Sequence, residues 1–372
     1  MKKLFAIVLA LCLLVSGAAF AEGTIKIAVA APMTGDNAEY GIGFANAAKL
    51  MAAQWNEKGG VQVGDETYTI EIVEYDDKSD NDEAQVVAET IVSDPDIWGV
   101  IGHFTSGVCM ATAPTYQDYD YVNISPSSSQ ADYSLIGDYI FRNNTVIKVE
   151  TYTGAEIAVK DLGGKAIGIL SIDTEWGQTT AEIMKSNIEA VGGNFALQQE
   201  VSADAVDFAT EITNFKDAGV DVVMVAGMYG TLAPFAVACK NSGYEVGLVG
   251  CSNAYTDNLL DIAGEAAEGV CAPVTFFAGD PDEKIQSFVK AYTDAYGGTV
   301  SSLTSQAYDS TGILIEAIQN AGALDRQAIR DAVAAIEYDG VSGFTTFDEN
   351  GDAMKTFTKI QVRDGAFQLA EF

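Results

Sequence analysis

Basic residues are scarce in this sequence, in which 20 lysines and arginines stand against 53 aspartates and glutamates, for a formal net charge of −33. Nucleic acids and anionic lipid surfaces are bound through basic patches, so this balance argues against both as partners. It favours high solubility instead. It does not identify a small ligand, because one cleft can differ in sign from the whole surface.

Histidine and cysteine are also rare. The one histidine, His103, nearly excludes histidine metal sites and weakens any proposal of a Ser-His-Asp triad. No C-x-x-C pair occurs, so zinc and thioredoxin-like sites have no support, and we expect no metal and no cofactor. Four cysteines follow residue 21, and the sequence leaves their three possible pairings open: Cys109, Cys239, Cys251 and Cys271.

Familiar catalytic motifs are absent as well. The chain has no G-x-S-x-G elbow, no H-E-x-x-H, no Walker A motif and no G-x-G-x-x-G after a strand. We therefore expect that the protein is not an enzyme. An exported hydrolase is the enzymatic alternative.

Long hydrophobic runs are missing except at the start of the chain. Two lysines precede an apolar run at residues 4–15, which is too short to span a bilayer, and an A-x-A pattern ends at Ala21. These features predict a signal peptide at 1–21, a mature chain from Glu22, and a periplasmic or extracellular location. Cys12 raises a lipoprotein alternative, which the preceding leucine disfavours.

The remaining 350 or so residues are more than one compact core usually serves, so we expect two domains. Short apolar runs alternate with segments of helical periodicity, which predicts parallel sheets covered by helices on both faces. The predicted strands include 25–31, 69–73, 99–102, 121–125, 166–172, 220–226 and 246–250, and the predicted helices include 179–191, 208–218, 232–242, 284–296, 305–321 and 326–335.

A set of short motifs resembles the branched-chain-amino-acid-type periplasmic binding proteins of ABC transporters. Each motif is weak alone, but together they cover nearly the whole mature chain in the family's order. They are IAVAAPMTG (27–35), EYG (39–41), NEKGGV (56–61), YDD (75–77), VIGH (100–103), ISPSSS (124–129), DTEWG (173–177), AYD (307–309) and GFTTFD (343–348).

The resemblance implies the type I periplasmic-binding fold, an α/β architecture of two three-layer lobes with the ligand in the cleft between them. It assigns residues 22–145 and 275–345 to lobe 1 and residues 146–274 and 346–372 to lobe 2. It also implies hinge closure around a small molecule, an amino acid such as a branched-chain one, and delivery to the permease of an ABC transporter. We expect a monomer. A sensory binding protein that signals through a receptor would have the same fold and cleft.

Candidate ligand-binding residues follow strands of the predicted sheets. Hydroxyls and backbone N–H groups at the start of a helix suit a carboxylate, although Ser and Thr there could equally be simple helix caps. The resemblance places Ser106 and Ser129 at carboxylate-binding positions and a backbone carbonyl contact to the ammonium at Ser127. The full set of candidates is Tyr40, Thr105, Ser106, Ser127, Ser129, Trp176, Met228, Tyr229, Ser252 and Asp309.

The sequence departs from the family at the expected ammonium partner. Branched-chain-specific relatives carry an acidic residue in the loop that reads Cys251-Ser252-Asn253 here. An unpaired ammonium in a closed cleft would be costly, so another acceptor is needed if the ligand is an amino acid. Asp309 and Asp173 are the candidates, and an amide or a carboxylic acid without an ammonium is the alternative ligand.

Overall fold

The computed structural model describes residues 23–372. The predicted signal peptide at 1–21, its cleavage point after Ala21 and the mature terminus at Glu22 lie outside the described residues. Within them, the predicted alternation of strands and helices is confirmed, and the chain forms two lobes, each built on a largely parallel sheet. No helix in this part of the chain is both long and apolar enough to cross a membrane.

The first sheet has six strands in the order β2-β3-β1-β4-β5-β6. All neighbouring strands are parallel except β2, which pairs antiparallel with β3. The strands are β1 (Gly23–Ala31), β2 (Val61–Val63), β3 (Glu66–Asp76), β4 (Ile97–Gly102), β5 (Asn123–Ser125) and β6 (Ile140–Arg142).

The second sheet has seven strands in the order β15-β14-β11-β10-β9-β7-β8. Its first five strands in chain order run parallel, and β14 and β15 add an antiparallel edge. The strands are β7 (Ile167–Ile172), β8 (Phe195–Val201), β9 (Val222–Ala226), β10 (Gly247–Val249), β11 (Cys271–Val274), β14 (Thr358–Arg363) and β15 (Ala366–Leu369), and a separate hairpin is formed by β12 (Tyr338–Gly340) and β13 (Gly343–Thr345).

Helices connect the parallel strands and cover the sheets. They are α1 (Ala38–Glu57), α2 (Asn81–Ser93), α3 (Ser106–Asp118), α4 (Ile147–Glu156), α5 (Glu175–Ala190), α6 (Ala209–Asp217), α7 (Tyr229–Asn241), α8 (Asp257–Ala263), α9 (Glu283–Tyr296), α10 (Ser302–Ala321) and α11 (Arg326–Ala334).

The chain passes between the two lobes three times. It leaves the first sheet after β6, returns after β11 when α10 packs against α1 and β4, and enters the second sheet again at β14. This path supports the division into 22–145 with 275–345 and 146–274 with 346–372, which we retain as a proposal.

Strand β1 shows why these sheets need helices on both faces. Ile25, Ile27 and Val29 belong to one hydrophobic cluster, whereas Ala28 and Ala30 belong to another on the opposite face, and all five are fully buried. A strand with two buried faces is stable only when helices cover both, as in parallel α/β proteins. The loops after such strands are thereby held at one edge of the sheet.

The four cysteines among the described residues are free and buried. Cys109 lies in α3, where its thiol is 3.3 Å from the His103 carbonyl oxygen and 3.5 Å from Ser125 Oγ. Burial raises the pKa of the Cys109 thiol to about 12. A thiol held neutral and enclosed is unreactive, so Cys109 has a packing role.

Candidate functional site

The carboxyl ends of the two parallel sheets face a shared cavity of about 770 Å³. The loops after β1, β4 and β5 form the wall on the first lobe. The loops after β7, β8, β9 and β10 form the opposite wall. Ligands of open parallel sheets bind at this edge, because loops and helix N-termini converge there.

Eight of the ten residues predicted from the sequence line this cavity. They are Thr105, Ser106, Ser127, Ser129, Trp176, Met228, Tyr229 and Ser252. Tyr40 and Asp309 are not among the lining residues.

The first-lobe wall is rich in hydroxyls and backbone N–H groups. Thr105 is the N-cap of α3 and accepts a hydrogen bond from Val108 N at 3.4 Å. Ser106 Oγ accepts one from Ser129 N, also at 3.4 Å. The Ser127 hydroxyl donates to the carbonyl oxygens of His103 and Phe104. This wall can therefore stabilise an anionic group such as a carboxylate.

The second-lobe wall combines large side chains with two further helix N-termini. Thr174 caps α5 by accepting from Gly177 N at 3.1 Å, and Trp176 follows in the first turn. Helix α7 begins at Tyr229 after Met228, which provides no side-chain cap. The indole, thioether and phenol supply apolar surface for a ligand's side chain.

Hydrogen bonds between the two lobes hold the walls together. Trp176 Nε1 donates to Ser129 Oγ at 3.0 Å, and the Tyr229 hydroxyl lies 3.4 Å from the carbonyl oxygen of Asp36. Outside the cavity, Asn258 Nδ2 donates to Glu39 Oε2 at 2.8 Å. The cleft is therefore in a closed arrangement.

Tyr40 belongs to this set of contacts between lobes. Its ring is 2% exposed and stacks on Phe104 with centroids 4.3 Å apart, and its hydroxyl donates to the carbonyl oxygen of Asn253 at 2.9 Å. In this arrangement Tyr40 is not among the residues that line the cavity and its hydroxyl is already engaged, so its contact with the ligand stays a prediction.

Asp309 does not supply the missing negative charge. It lies within α10, fully buried, and its carboxylate accepts hydrogen bonds from Val341 N, Ser342 N and Ser342 Oγ at 3.0, 2.7 and 2.5 Å. Burial raises the pKa of Asp309, and the nearby Lys355 opposes this effect. These bonds fix the segment before β13, so Asp309 has a structural role in this arrangement and does not line the cavity.

Asp173 is no better placed. Its carboxylate accepts a hydrogen bond from Ala203 N at 3.0 Å, and the residue is exposed outside the cavity lining. It joins the loops after β7 and β8 and does not contribute to the cavity wall.

Glu150 is the residue that sequence reasoning missed. It lines the cavity from α4 at 3% exposure, and its Oε1 accepts a hydrogen bond from Ser252 N at 2.5 Å. Burial raises its pKa to about 7, while the bond from Ser252 works in the opposite direction. The signal was present in the sequence, because Glu150 lies on the same helical face as Ile147, Thr151 and Gly154, where an apolar or small residue is expected.

The side chains with a formal charge that line the cavity are all acidic. The aspartates and glutamates that line it are Asp36, Glu150, Glu175 and Asp204, and no lysine, arginine or histidine is among the described residues that line it. Three of the four acidic residues are exposed, and Glu150 alone is buried. The site thus offers hydroxyls and helix N-termini to an anionic group and a buried carboxylate to a cationic one.

Comparisons with known proteins agree with this architecture. Residues 24–366 match the family model described as periplasmic binding protein. The chain is 28% identical over 339 residues to the leucine-, isoleucine-, valine-, threonine- and alanine-binding protein of Pseudomonas aeruginosa, covering 91% of this chain and 89% of that protein.

Two solved structures carry different ligands on the same fold. An ABC transporter substrate-binding protein from Desulfitobacterium hafniense, in complex with leucine, is 25% identical with a TM-score of 0.79, covering 93% of this chain and all of that one. A solute-binding protein from Rhodopseudomonas palustris, in complex with 3,4-dihydroxybenzoic acid, is 23% identical with a TM-score of 0.84, covering 94% of this chain and 96% of that one. The predicted two-lobed fold is confirmed, and the family match over most of the chain settles its membership: this protein belongs to the periplasmic binding protein family.

Proposed function

We propose that this chain is an exported solute-binding protein that binds a small L-amino acid between its lobes and delivers it to the permease of an ABC transporter. It acts in the periplasm or outside the cell, as a monomer and without catalysis, after cleavage near Ala21. The observation that carries the proposal is the closed cavity between the two sheet edges, with its hydroxyl-rich wall facing Trp176, Met228 and Tyr229.

The ligand's carboxylate docks on the first lobe. Ser106 is the first residue of α3, and Ser129 N donates to its Oγ at 3.4 Å. The N–H groups at the start of a helix lack intrahelical acceptors, so they favour a negative charge there. The second lobe then covers the ligand's side chain, and closure is stabilised because the ligand binds the closed form in preference. The hydrogen bond from Trp176 to Ser129 brings these two walls into contact.

A binding protein for an amide or for a carboxylic acid without an ammonium is the second candidate. The Rhodopseudomonas palustris protein, whose ligand is an aromatic acid, shows that this fold accommodates such molecules. A sensory role would use the same cleft, and a permease gene or a receptor gene beside the coding sequence would separate the two roles.

Thermal stabilisation of refolded, ligand-stripped protein tests the proposed function. A ligand that binds only the native state raises the melting temperature by mass action. We expect a shift with one or a few of the twenty L-amino acids and none with sugars. A shift confined to amides or to acids that lack an ammonium would replace the amino-acid proposal with the second candidate.

Removing the proposed carboxylate contacts should weaken binding selectively. Ser106→Ala is expected to raise the Kd of the stabilising amino acid about 10- to 100-fold, because a hydrogen bond to a charged group contributes about 1.5–3 kcal/mol. Isothermal titration calorimetry measures the change. Ser287→Ala, on the exposed surface of α9, is the matched control and should bind as the wild type does. Equal Kd values for both variants would argue against the carboxylate site.

A further inference from the structure

Glu150 reaches the cavity from an unexpected element. Helix α4 is the first helix after the chain leaves the first sheet, and it packs against α5 and β11 of the second lobe. The buried side chain accepts its hydrogen bond from Ser252 N, in the loop that contains no acidic residue. The carboxylate therefore lies beside the position where the sequence lacks a negative charge.

Ser252 donates to this carboxylate from its backbone and its side chain, but no cation among the described residues pairs with it. Glu150 takes part in none of the ion pairs formed by residues 23–372, and the lining of the cavity contains no basic residue. An ionised carboxylate removed from water is costly unless a cation or several donors compensate for it. Burial raises its pKa for the same reason.

A second acceptor belongs to the residue that follows Ser252. Asn253 lines the cavity at 7% exposure, and its Oδ1 is buried without a hydrogen-bond partner among the described residues. Its Nδ2 is engaged with Met228 Sδ at 3.0 Å. Buried acceptors are rarely left unsatisfied in folded proteins, so an unpaired oxygen in a ligand cavity indicates a donor on the ligand.

We propose that Glu150, supported by Asn253 Oδ1, binds the ammonium of the ligand and so selects amino acids over the corresponding acids without an ammonium. This inference rests on the proposed function and identifies its specificity-determining residue. An ammonium carries three donors and one positive charge, which match a carboxylate and an amide oxygen that both belong to the cavity lining. The ligand's carboxylate lies at the other end, on Ser106 and Ser129.

The ionisable surroundings of Glu150 are simple. In the core packed against α4, Cys251 and Cys271 have thiols whose pKa values are raised by burial, so both stay neutral. The other acidic residues of the cavity, Asp36, Glu175 and Asp204, are exposed. Glu150 is therefore the cavity group whose charge changes near neutral pH, and its protonation would weaken the binding of an ammonium.

Calorimetric titration of Glu150→Gln tests the assignment. The probes are three matched pairs: L-leucine and 4-methylpentanoate, L-alanine and propionate, and L-phenylalanine and 3-phenylpropionate. In the pair that the wild type binds, we expect the variant to lose about 30-fold or more in affinity for the amino acid and to bind the matching acid at least as well. Glu156→Gln, at the partly exposed end of the same helix in a pair with Lys160, is the control for loss of one negative charge and should leave both affinities unchanged.

The outcomes separate the two proposals. If the wild type binds none of the amino acids but does bind an acid, the proposed function and this assignment both fail. If the wild type binds an amino acid and Glu150→Gln binds it equally well, only the assignment fails. If the variant does not fold, the wild type provides the test. Its preference for the amino acid over the matching acid should shrink when the pH is lowered from 8 to 5.5. A preference that stays constant would overturn the assignment.

Discussion

Replacing Arg142 by methionine is expected to lower the free energy of unfolding by about 3–5 kcal/mol. Arg142 ends β6, is completely buried and forms an ion pair with Asp352. Its guanidinium also donates to the carbonyl oxygens of Gln130 and Ala131 and to Ser134 Oγ. Methionine would fill similar space, leave the Asp352 carboxylate without its cation and with only Ser134 Oγ as a side-chain donor, and leave the two carbonyl oxygens without their donor.

Equilibrium denaturation in urea measures this loss, provided that the transition remains two-state. Lys240→Met is the control, because Lys240 forms an ion pair with Glu265 on the exposed surface, and such pairs contribute at most about 1 kcal/mol. If Arg142→Met lowered the free energy of unfolding as little as Lys240→Met does, the network around Arg142 would not be what holds β6 and the 348–353 segment together.

Replacing Glu150 by glutamine should raise the stability of the ligand-free protein. The pKa of Glu150 rises from 4.5 to about 7 through burial. The folded state binds the Glu150 proton more tightly than the unfolded state does. The stability that this proton contributes is therefore fully present below about pH 4.5 and is lost as the pH rises through about 7. At pH 8 the buried carboxylate costs about 3 kcal/mol, since each pKa unit corresponds to about 1.4 kcal/mol.

Glutamine avoids this cost and can still accept a hydrogen bond from Ser252 N. We therefore expect Glu150→Gln to be more stable than the wild type by up to about 3 kcal/mol at pH 8 and nearly equal to it at pH 4.5. Urea denaturation of both ligand-free proteins at the two pH values measures the difference. A gap that does not change with pH would show that Glu150 is not the group whose ionisation opposes folding.

A variant that is more stable when empty and weaker in binding would show that a functional residue lowers stability, as is common at binding sites. The same carboxylate would then account for both effects. In the folded protein without ligand, its charge lacks a partner. With an amino acid bound, the ammonium supplies one.

The sequence was sufficient for the fold and for most of the cavity wall. Runs such as 166–172 and 220–226 correspond to β7 and β9 within two residues, because a strand buried on both faces is uniformly apolar. Ser106, Ser129 and Trp176 lie in loops that follow strands, and parallel sheets bring such loops to one edge. The family resemblance was needed to choose Ser106 and Ser129 over simple helix caps.

The location of the negative charge could not be predicted in the same way. Asp309 was an acidic residue within a family-like motif, yet its exposure depends on Val341 and Ser342, which pack over it from 32 and 33 residues further along the chain. The helical face that Glu150 shares with Ile147, Thr151 and Gly154 indicates that it is buried, but only the packing of α4 beside Ser252 places it at the cavity. Contacts of long sequence separation decided both cases.

A crystal structure of the complex with the amino acid that gives the largest thermal shift tests the central claim most directly. The account predicts a closed cleft in which the ligand's carboxylate is within hydrogen-bonding distance of Ser106 and Ser129 and its ammonium contacts Glu150. A ligand bound in the reverse orientation, or one whose ammonium lies beyond hydrogen-bonding distance of the Glu150 carboxylate, would contradict it.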